Sequence, residues 1–106
     1  MAQAGIRAIM ALVTFTFTAE AAEYHVRVDP PARYDHPHPN MVVKRLPASE
    51  IDAFCRGIGA RAPLPIKGCA KGGTKACAVV IARNAPDIVL RHERAHCNGW
   101  SVRHPR

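Results

Sequence analysis

The spacing of apolar positions predicts a helix in the first half of the chain. Four apolar side chains recur at helical spacing and form one stripe: Ile51, Phe54, Cys55 and Ile58. Ser49 stands before this stripe as a candidate N-cap, and two glycines follow it closely. The pattern therefore predicts a helix over residues 50–58, with its apolar stripe packed in the core.

Two apolar runs further along the chain predict a β-hairpin. Residues 66–70 and 76–82 are rich in small and β-branched side chains, and a glycine-rich turn separates them. A three-residue loop over residues 72–74 would place Cys69 opposite Cys77 across the two strands. The hairpin is thus expected to form a small antiparallel sheet.

The segment before the first helix is less regular. Residues 23–28 alternate polar and apolar side chains and predict a first strand. Residues 30–47 carry five prolines, which exclude a regular helix or a central strand and predict an extended segment. Within it, residues 41–43 form a short apolar run that is expected to lie beside the core as a strand.

A second helix is predicted over residues 86–98. Pro86 suits the first helical position, Asp87 favours the first turn, and Gly99 ends the pattern. The elements together predict an α+β fold, with two helices packed on a small antiparallel sheet.

The second helix contains the sequence His-Glu-x-x-His. His92 and His96 are four residues apart, so both imidazoles leave the same face of the helix about one turn apart and can reach one metal ion. Glu93 follows the first histidine, where its carboxylate can reach a metal-coordinated water without being a ligand. This arrangement of two nitrogen ligands and one carboxylate is typical of zinc-assisted hydrolysis.

A catalytic zinc ion usually has three protein ligands, so a third must come from elsewhere. Gly99 permits a sharp turn after the helix, and His104 in the tail is the preferred candidate. Cys97, Asp35 and the pair His36 and His38 are the alternatives.

The first residues have the pattern of a secretory signal peptide. A positive charge at Arg7 precedes an apolar run, and Ala19-Glu20-Ala21 offers small residues at a cleavage site. The pattern predicts a signal peptide over residues 1–21 and one small domain over residues 22–106. The apolar run is shorter than the roughly 20 residues that span a bilayer, so no stable membrane insertion is expected after cleavage. We expect a monomer that is periplasmic or secreted.

Four cysteines in an exported chain predict two disulfides, which small domains use to compensate for a thin core. Three connectivities are open. The preferred one joins Cys55 to Cys97, which clamps the two helices together, and Cys69 to Cys77 across the hairpin.

The chain is basic, with 15 Lys and Arg against 8 Asp and Glu and a net charge of +7. These cations are spread along the sequence and few aromatic residues interleave them, so nucleic-acid binding is not expected.

The motif resembles that of the zincin metallopeptidases, and of their metzincin-like branch in particular. His92, Glu93, His96 and Gly99 match the pattern His-Glu-x-x-His-x-x-Gly of that branch, and the tail is similar to that of small exported bacterial proteins with a minimal metallopeptidase motif. The resemblance covers about the last 30 residues. The family's third ligand position falls at Val102, so His104 requires a longer loop.

The resemblance implies a minimal zincin-like domain that holds Zn²⁺, uses Glu93 as general base and hydrolyses peptide or protein substrates. It also implies a strand above the metal helix that binds substrate by edge pairing, and residues 79–82 are the candidate. Arg103, Tyr34 or Arg94 could donate to the oxyanion, and Asn98 or a backbone carbonyl could orient a histidine ring. The alternative is an exported, disulfide-stapled binding protein with a non-catalytic zinc site.

Overall fold

The computed structural model describes residues 29–106. The predicted signal peptide and the strand predicted over residues 23–28 lie outside the described residues. Two helices and three strands follow in the described part: β1 (Met41–Leu46), α1 (Ile51–Gly57), β2 (Gly68–Gly72), β3 (Cys77–Ala82) and α2 (Asp87–Cys97). Single 3-10 turns cover Ala32–Tyr34 and Ala48–Glu50. The predicted α+β class is therefore confirmed, and both predicted helices form within one or two residues of their expected ends.

The three strands form a mixed sheet in the order β1-β3-β2. β2 pairs with β3 antiparallel, as the hairpin prediction requires, but β1 pairs with β3 parallel. The prediction of a purely antiparallel sheet is therefore wrong in this respect. Since α1 and β2 lie between β1 and β3 in the chain, they form the long crossover connection that a parallel pair needs.

The central strand β3 is covered on both of its faces. Val79 and Ile81 point to α2 and pack against Ile88 and Val89 of that helix. The alternate residues of β3 point to α1, where they form a second apolar cluster: Val80 and Ala82 with Ile51, Cys55 and Cys69. A strand buried on both faces is apolar at every position, which explains the unbroken apolar run of β3.

Each disulfide joins one helix to its own face of the sheet. Cys55 of α1 bonds to Cys69 of β2, and Cys77 of β3 bonds to Cys97 of α2. The predicted pairs, Cys55–Cys97 and Cys69–Cys77, are both wrong. A bond between the helices is excluded because α1 and α2 lie on opposite faces of the sheet. Each observed bond is worth about 2–4 kcal/mol, mainly through restriction of the unfolded chain.

The hairpin register explains why the predicted cross-strand bond does not form. Gly72 pairs with Cys77, and Cys69 pairs with Val80, so the loop contains four residues rather than the predicted three. Gly72 has φ +121°, and a Cβ there would lie 2.3 Å from the Ala76 carbonyl oxygen. Only glycine fits this position. This change of register places Cys69 and Cys77 on opposite faces of the sheet.

None of the helices within residues 29–106 has both the length and the apolar character needed to cross a membrane. Two disulfides are a feature typical of exported proteins.

Candidate metal centre

Helix α2 carries two of the three predicted metal ligands on one face. The helix is anchored in the core by Ile88, Val89 and Ala95, which are 8%, 3% and 0% exposed. His92 and His96 lie on the same side of the helix as Ile88 and Val89, and His92 is itself only 9% exposed. Their ring centroids lie 4.8 Å apart. The predicted i, i+4 pair is present as the sequence motif required.

The end of α2 turns the chain back towards this face. Gly99 adopts φ +105°. Its N–H donates to the carbonyl of His96, and the N–H of Trp100 donates to the carbonyl of Ala95. These two bonds define a Schellman motif, in which the left-handed residue is usually glycine. The sharp turn predicted at Gly99 is thus confirmed.

Trp100 holds the tail in place. Its side chain is only 4% exposed, and its indole stacks on the His96 ring at 5.0 Å with an interplanar angle of 12°. The indole Nε1 donates to the carbonyl of Pro105 at 2.8 Å, which draws the tail over the helix. His104 adopts φ +57°, a left-handed conformation that is uncommon for a residue with a side chain. This backbone conformation of the tail places the His104 side chain beside the other two histidines.

The three histidines form a compact group that could hold a metal ion. Their Nε2 atoms lie 3.1–3.2 Å from one another. With Zn–N bonds of about 2.0–2.1 Å, tetrahedral coordination separates two imidazole nitrogens by about 3.3–3.4 Å. The observed nitrogen triangle matches this size closely. The side-chain donors of His92, His96 and His104 could therefore hold one metal ion without rearrangement of the backbone.

A backbone carbonyl fixes the tautomer of His96. The carbonyl oxygen of Trp100 lies 2.8 Å from Nδ1 of His96, and a carbonyl can only accept. The proton of the neutral ring is therefore on Nδ1, which leaves the lone pair on Nε2 directed at the group. This is the arrangement by which metal-ligating histidines are commonly oriented.

Burial keeps two of these rings in the form that binds metal. Desolvation lowers the pKa of His96, although its hydrogen bond to the Trp100 carbonyl acts in the opposite direction. Partial burial and the neighbouring His96 lower the pKa of His104. Since only the neutral imidazole is a ligand, both shifts favour metal binding at neutral pH.

Glu93 is buried between helix α2 and the sheet. It is 7% exposed, and burial raises the pKa of its carboxyl group to about 8. Its Cγ lies against Gly68 of β2, where an added Cβ would approach it to 3.3 Å. A glycine at this strand position thus leaves room for the carboxylic acid. A cation bound by the adjacent histidines would favour the ionised form of Glu93 and lower its pKa again.

The alternative third ligands have other partners. Cys97 is in a disulfide with Cys77. Asp35 forms ion pairs with Arg91 and Arg94, and Arg91 is its principal partner in lowering the pKa of the carboxyl group. His38 donates from Nε2 to the carbonyl of Gly73. None of these residues lies in the three-histidine group of the described chain.

The segment before β1 docks on the outer side of α2. Asn98 donates from its side-chain nitrogen to the carbonyls of Tyr34 and His36, so it secures this segment rather than a histidine ring. Of the two predicted orienting groups, the backbone carbonyl is therefore the one used. Arg94 is also committed to this contact, because its guanidinium donates to Asp35. This docking was not predicted, since the sequence carries no local signal for a contact between residues so far apart.

The predicted substrate strand is not available at an edge. β3 is the central strand and is paired on both sides, so the interpretation of residues 79–82 as an edge-pairing strand is wrong. β2 is an edge strand of the described sheet, and its Gly68 lies beside the Glu93 side chain. Among the described strands, the edge strand beside α2 is therefore β2.

Comparisons of this chain with protein-family models, with curated proteins and with solved structures find no match.

Proposed function

We propose that this protein is an exported zinc metallopeptidase in which Glu93 is the general base. One observation carries the proposal: three imidazole Nε2 atoms lie 3.1–3.2 Å apart, and two of these histidines are on the helix that also carries the buried Glu93. The resemblance of this helix to the zincin motif supports the same reaction class. A signal-peptide pattern and two disulfides support export.

The donor set favours a metal that imidazole binds well, and zinc is one of these. Three nitrogen ligands without a thiolate or a carboxylate suit a borderline metal and argue against calcium or magnesium, which prefer oxygen. Three protein ligands also leave one tetrahedral position for water or substrate, as in catalytic rather than structural zinc sites. The ion, when bound, would supply Lewis-acid catalysis at a peptide carbonyl.

Glu93 would carry the proton through the reaction. Its carboxylate accepts a proton from the attacking water and then donates it to the nitrogen of the leaving amine. The Glu93 carboxyl group is buried between β2 and α2 and is therefore shielded from bulk water. The same burial raises its pKa. A base poised near neutral pH is suited to both transfers.

An extended peptide is the substrate that this site would accept. β2 is an edge strand of the described sheet and can pair with the backbone of such a peptide, and Gly68 of that strand lies beside the Glu93 side chain. The scissile bond would then pass close to the general base.

A second candidate function is a zinc-binding domain without catalysis. The observation that favours it is the way the site joins the tail to helix α2: His104 comes from the tail, and the other two ligands come from the helix. A metal ion there would act as a further staple for a small core.

The two functions differ in the products of a peptide library. The purified full chain with one equivalent of zinc is incubated with a library of unstructured peptides, and new termini are identified by mass spectrometry. A peptidase releases fragments, loses activity when a chelator removes the metal, and regains it when zinc is restored. If the zinc-loaded protein leaves the library intact, the peptidase proposal is wrong and the structural role of the metal is retained.

A further inference from the structure

Strand β1 presents an exposed edge on the side of the sheet away from β2. Its four central residues are all exposed, and Val42 and Val43 are 65% and 38% exposed. β3 pairs with only one side of β1, and within residues 29–106 no strand pairs with the other. The outer side therefore offers backbone donors and acceptors to an added strand.

The exposed side chains of β1 alternate in a defined way between the two faces. Val42 and Lys44 pair with Ala78 and Val80 of β3, on the face that holds α1. Val43 and Arg45 pair with Val79 and Ile81, on the face that holds α2. Each face of β1 thus carries one valine followed by one cation.

All charged residues in the three strands are positive. The three strands contain no Asp or Glu, and they carry three cations, Lys44, Arg45 and Lys71. Lys44 also lies over the Phe54 ring at 4.9 Å, so its stem is supported by α1 while the residue stays exposed. An added strand would therefore meet apolar groups at one end of β1 and positive charge at the other.

We infer that the outer edge of β1 binds an extended segment of a partner protein that contains two acidic residues followed by two apolar residues. Added antiparallel, such a segment places its acidic side chains opposite Arg45 and Lys44 and its apolar side chains opposite Val43 and Val42. Opposite charges and apolar pairs facing each other across two strands both stabilise strand addition. The inference does not depend on the metal site, whose proposed ligands lie on α2 and in the tail that follows it.

A second copy of this chain fits the same edge poorly. An antiparallel pair of β1 strands in this register would set Val42 opposite Arg45 and Val43 opposite Lys44, and would bring four cations onto one short ladder. A lipid headgroup could satisfy the charges but not the backbone groups of the strand edge.

The test measures fluorescence anisotropy of labelled peptides with the zinc-loaded full chain. The probe has the core Glu-Glu-Val-Val, and the comparison peptides have the core Lys-Lys-Val-Val or carry backbone N-methyl groups on the probe sequence. We expect the probe to bind and both comparison peptides to bind at least about tenfold more weakly, because each loses either charge pairing or ladder hydrogen bonds.

Two double variants separate the β1 edge from net charge. The double variant Lys44→Glu, Arg45→Glu should bind the probe at least about tenfold more weakly. It should bind the Lys-Lys-Val-Val peptide more tightly, because the charges on β1 are reversed. Arg61→Glu with Lys67→Glu makes the same change in net charge at exposed residues outside β1 and should have little effect. Equal weakening by both variants, absence of probe binding, or unchanged binding of the N-methylated peptide would overturn the inference. So would dimerisation through β1, seen by sedimentation and abolished by the Lys44 and Arg45 changes.

The metal site provides an independent check. His92→Ala should leave the probe affinity unchanged, since no residue of the three-histidine group lies on β1. Failure of the peptide to bind would thus leave the proposed peptidase function untouched, and loss of hydrolysis would leave this edge interaction untouched.

Discussion

Glu93→Gln is expected to abolish peptide hydrolysis and to leave the metal in place. Glutamine has the same shape as the buried carboxylic acid but cannot accept or donate the transferred proton. Loss of a general acid–base group commonly costs about 10²–10⁴-fold in rate. The fold should tolerate the change, because burial raises the pKa of Glu93 to about 8 and the neutral acid already predominates at pH 7 without metal.

The measurement compares initial rates on a cleaved library peptide with the zinc content of the same samples. Glu50→Gln is the matched control, since Glu50 is exposed and lies in the turn before α1. It should retain both the rate and the metal. A Glu93→Gln variant that hydrolyses peptide at the unsubstituted rate would remove Glu93 from the mechanism.

His104→Ala is expected to reduce zinc affinity by more than the roughly 10–100-fold that follows loss of a group supporting a ligand. The reason is that a directly coordinating nitrogen is removed, and the Nε2 atoms of His92 and His96 alone remain near the ion. Competition with a chromophoric chelator measures the dissociation constant directly.

His36→Ala serves as the control for this change. His36 is exposed, and its ring nitrogen contacts the neighbouring Pro37 carbonyl rather than the three-histidine group. Its replacement should leave zinc affinity within about twofold, because it removes no ligand and no orienting group. Equal affinity in His104→Ala and the unsubstituted protein would show that the tail does not supply the third ligand.

Helix α2 and its two histidines could be predicted because the signals for them lie within a short stretch of the sequence. The i, i+4 spacing of His92 and His96 follows from helix geometry alone, and Gly99 marks the helix end by its backbone freedom. His104 was a candidate by its distance from that turn. Its position beside the other two rings depends on contacts of Trp100 that the spacing does not encode.

The topology and the disulfides depended on information that is not local. Both helices have one apolar stripe, but the stripe does not say which face of the sheet it will cover. With α1 and α2 on opposite faces, Cys55 and Cys97 are separated by the sheet. The hairpin loop has one residue more than expected, and because side chains alternate along a strand this change altered the partner of every cysteine.

A backbone carbonyl was one of the two groups expected to orient a histidine ring, but which carbonyl could not be predicted, for the same reason. The Trp100 carbonyl that orients His96 is a backbone atom and leaves no mark in the sequence. The sequence alone does not distinguish Gly68 from other strand glycines, and its position beside Glu93 is visible only in the structure. A glycine inside a predicted strand is nevertheless a signal of close approach, and that signal was available.

Elemental analysis of the purified full chain shows directly whether His92, His96 and His104 bind zinc. The protein is loaded with excess zinc, passed through a desalting column and compared with His92→Ala prepared in parallel. We expect about one zinc ion per chain in the unsubstituted protein and a small fraction of that in the variant, because His92 is one of the three proposed ligands. Absence of stoichiometric metal from the unsubstituted protein, or equal metal in the two proteins, would contradict this expectation.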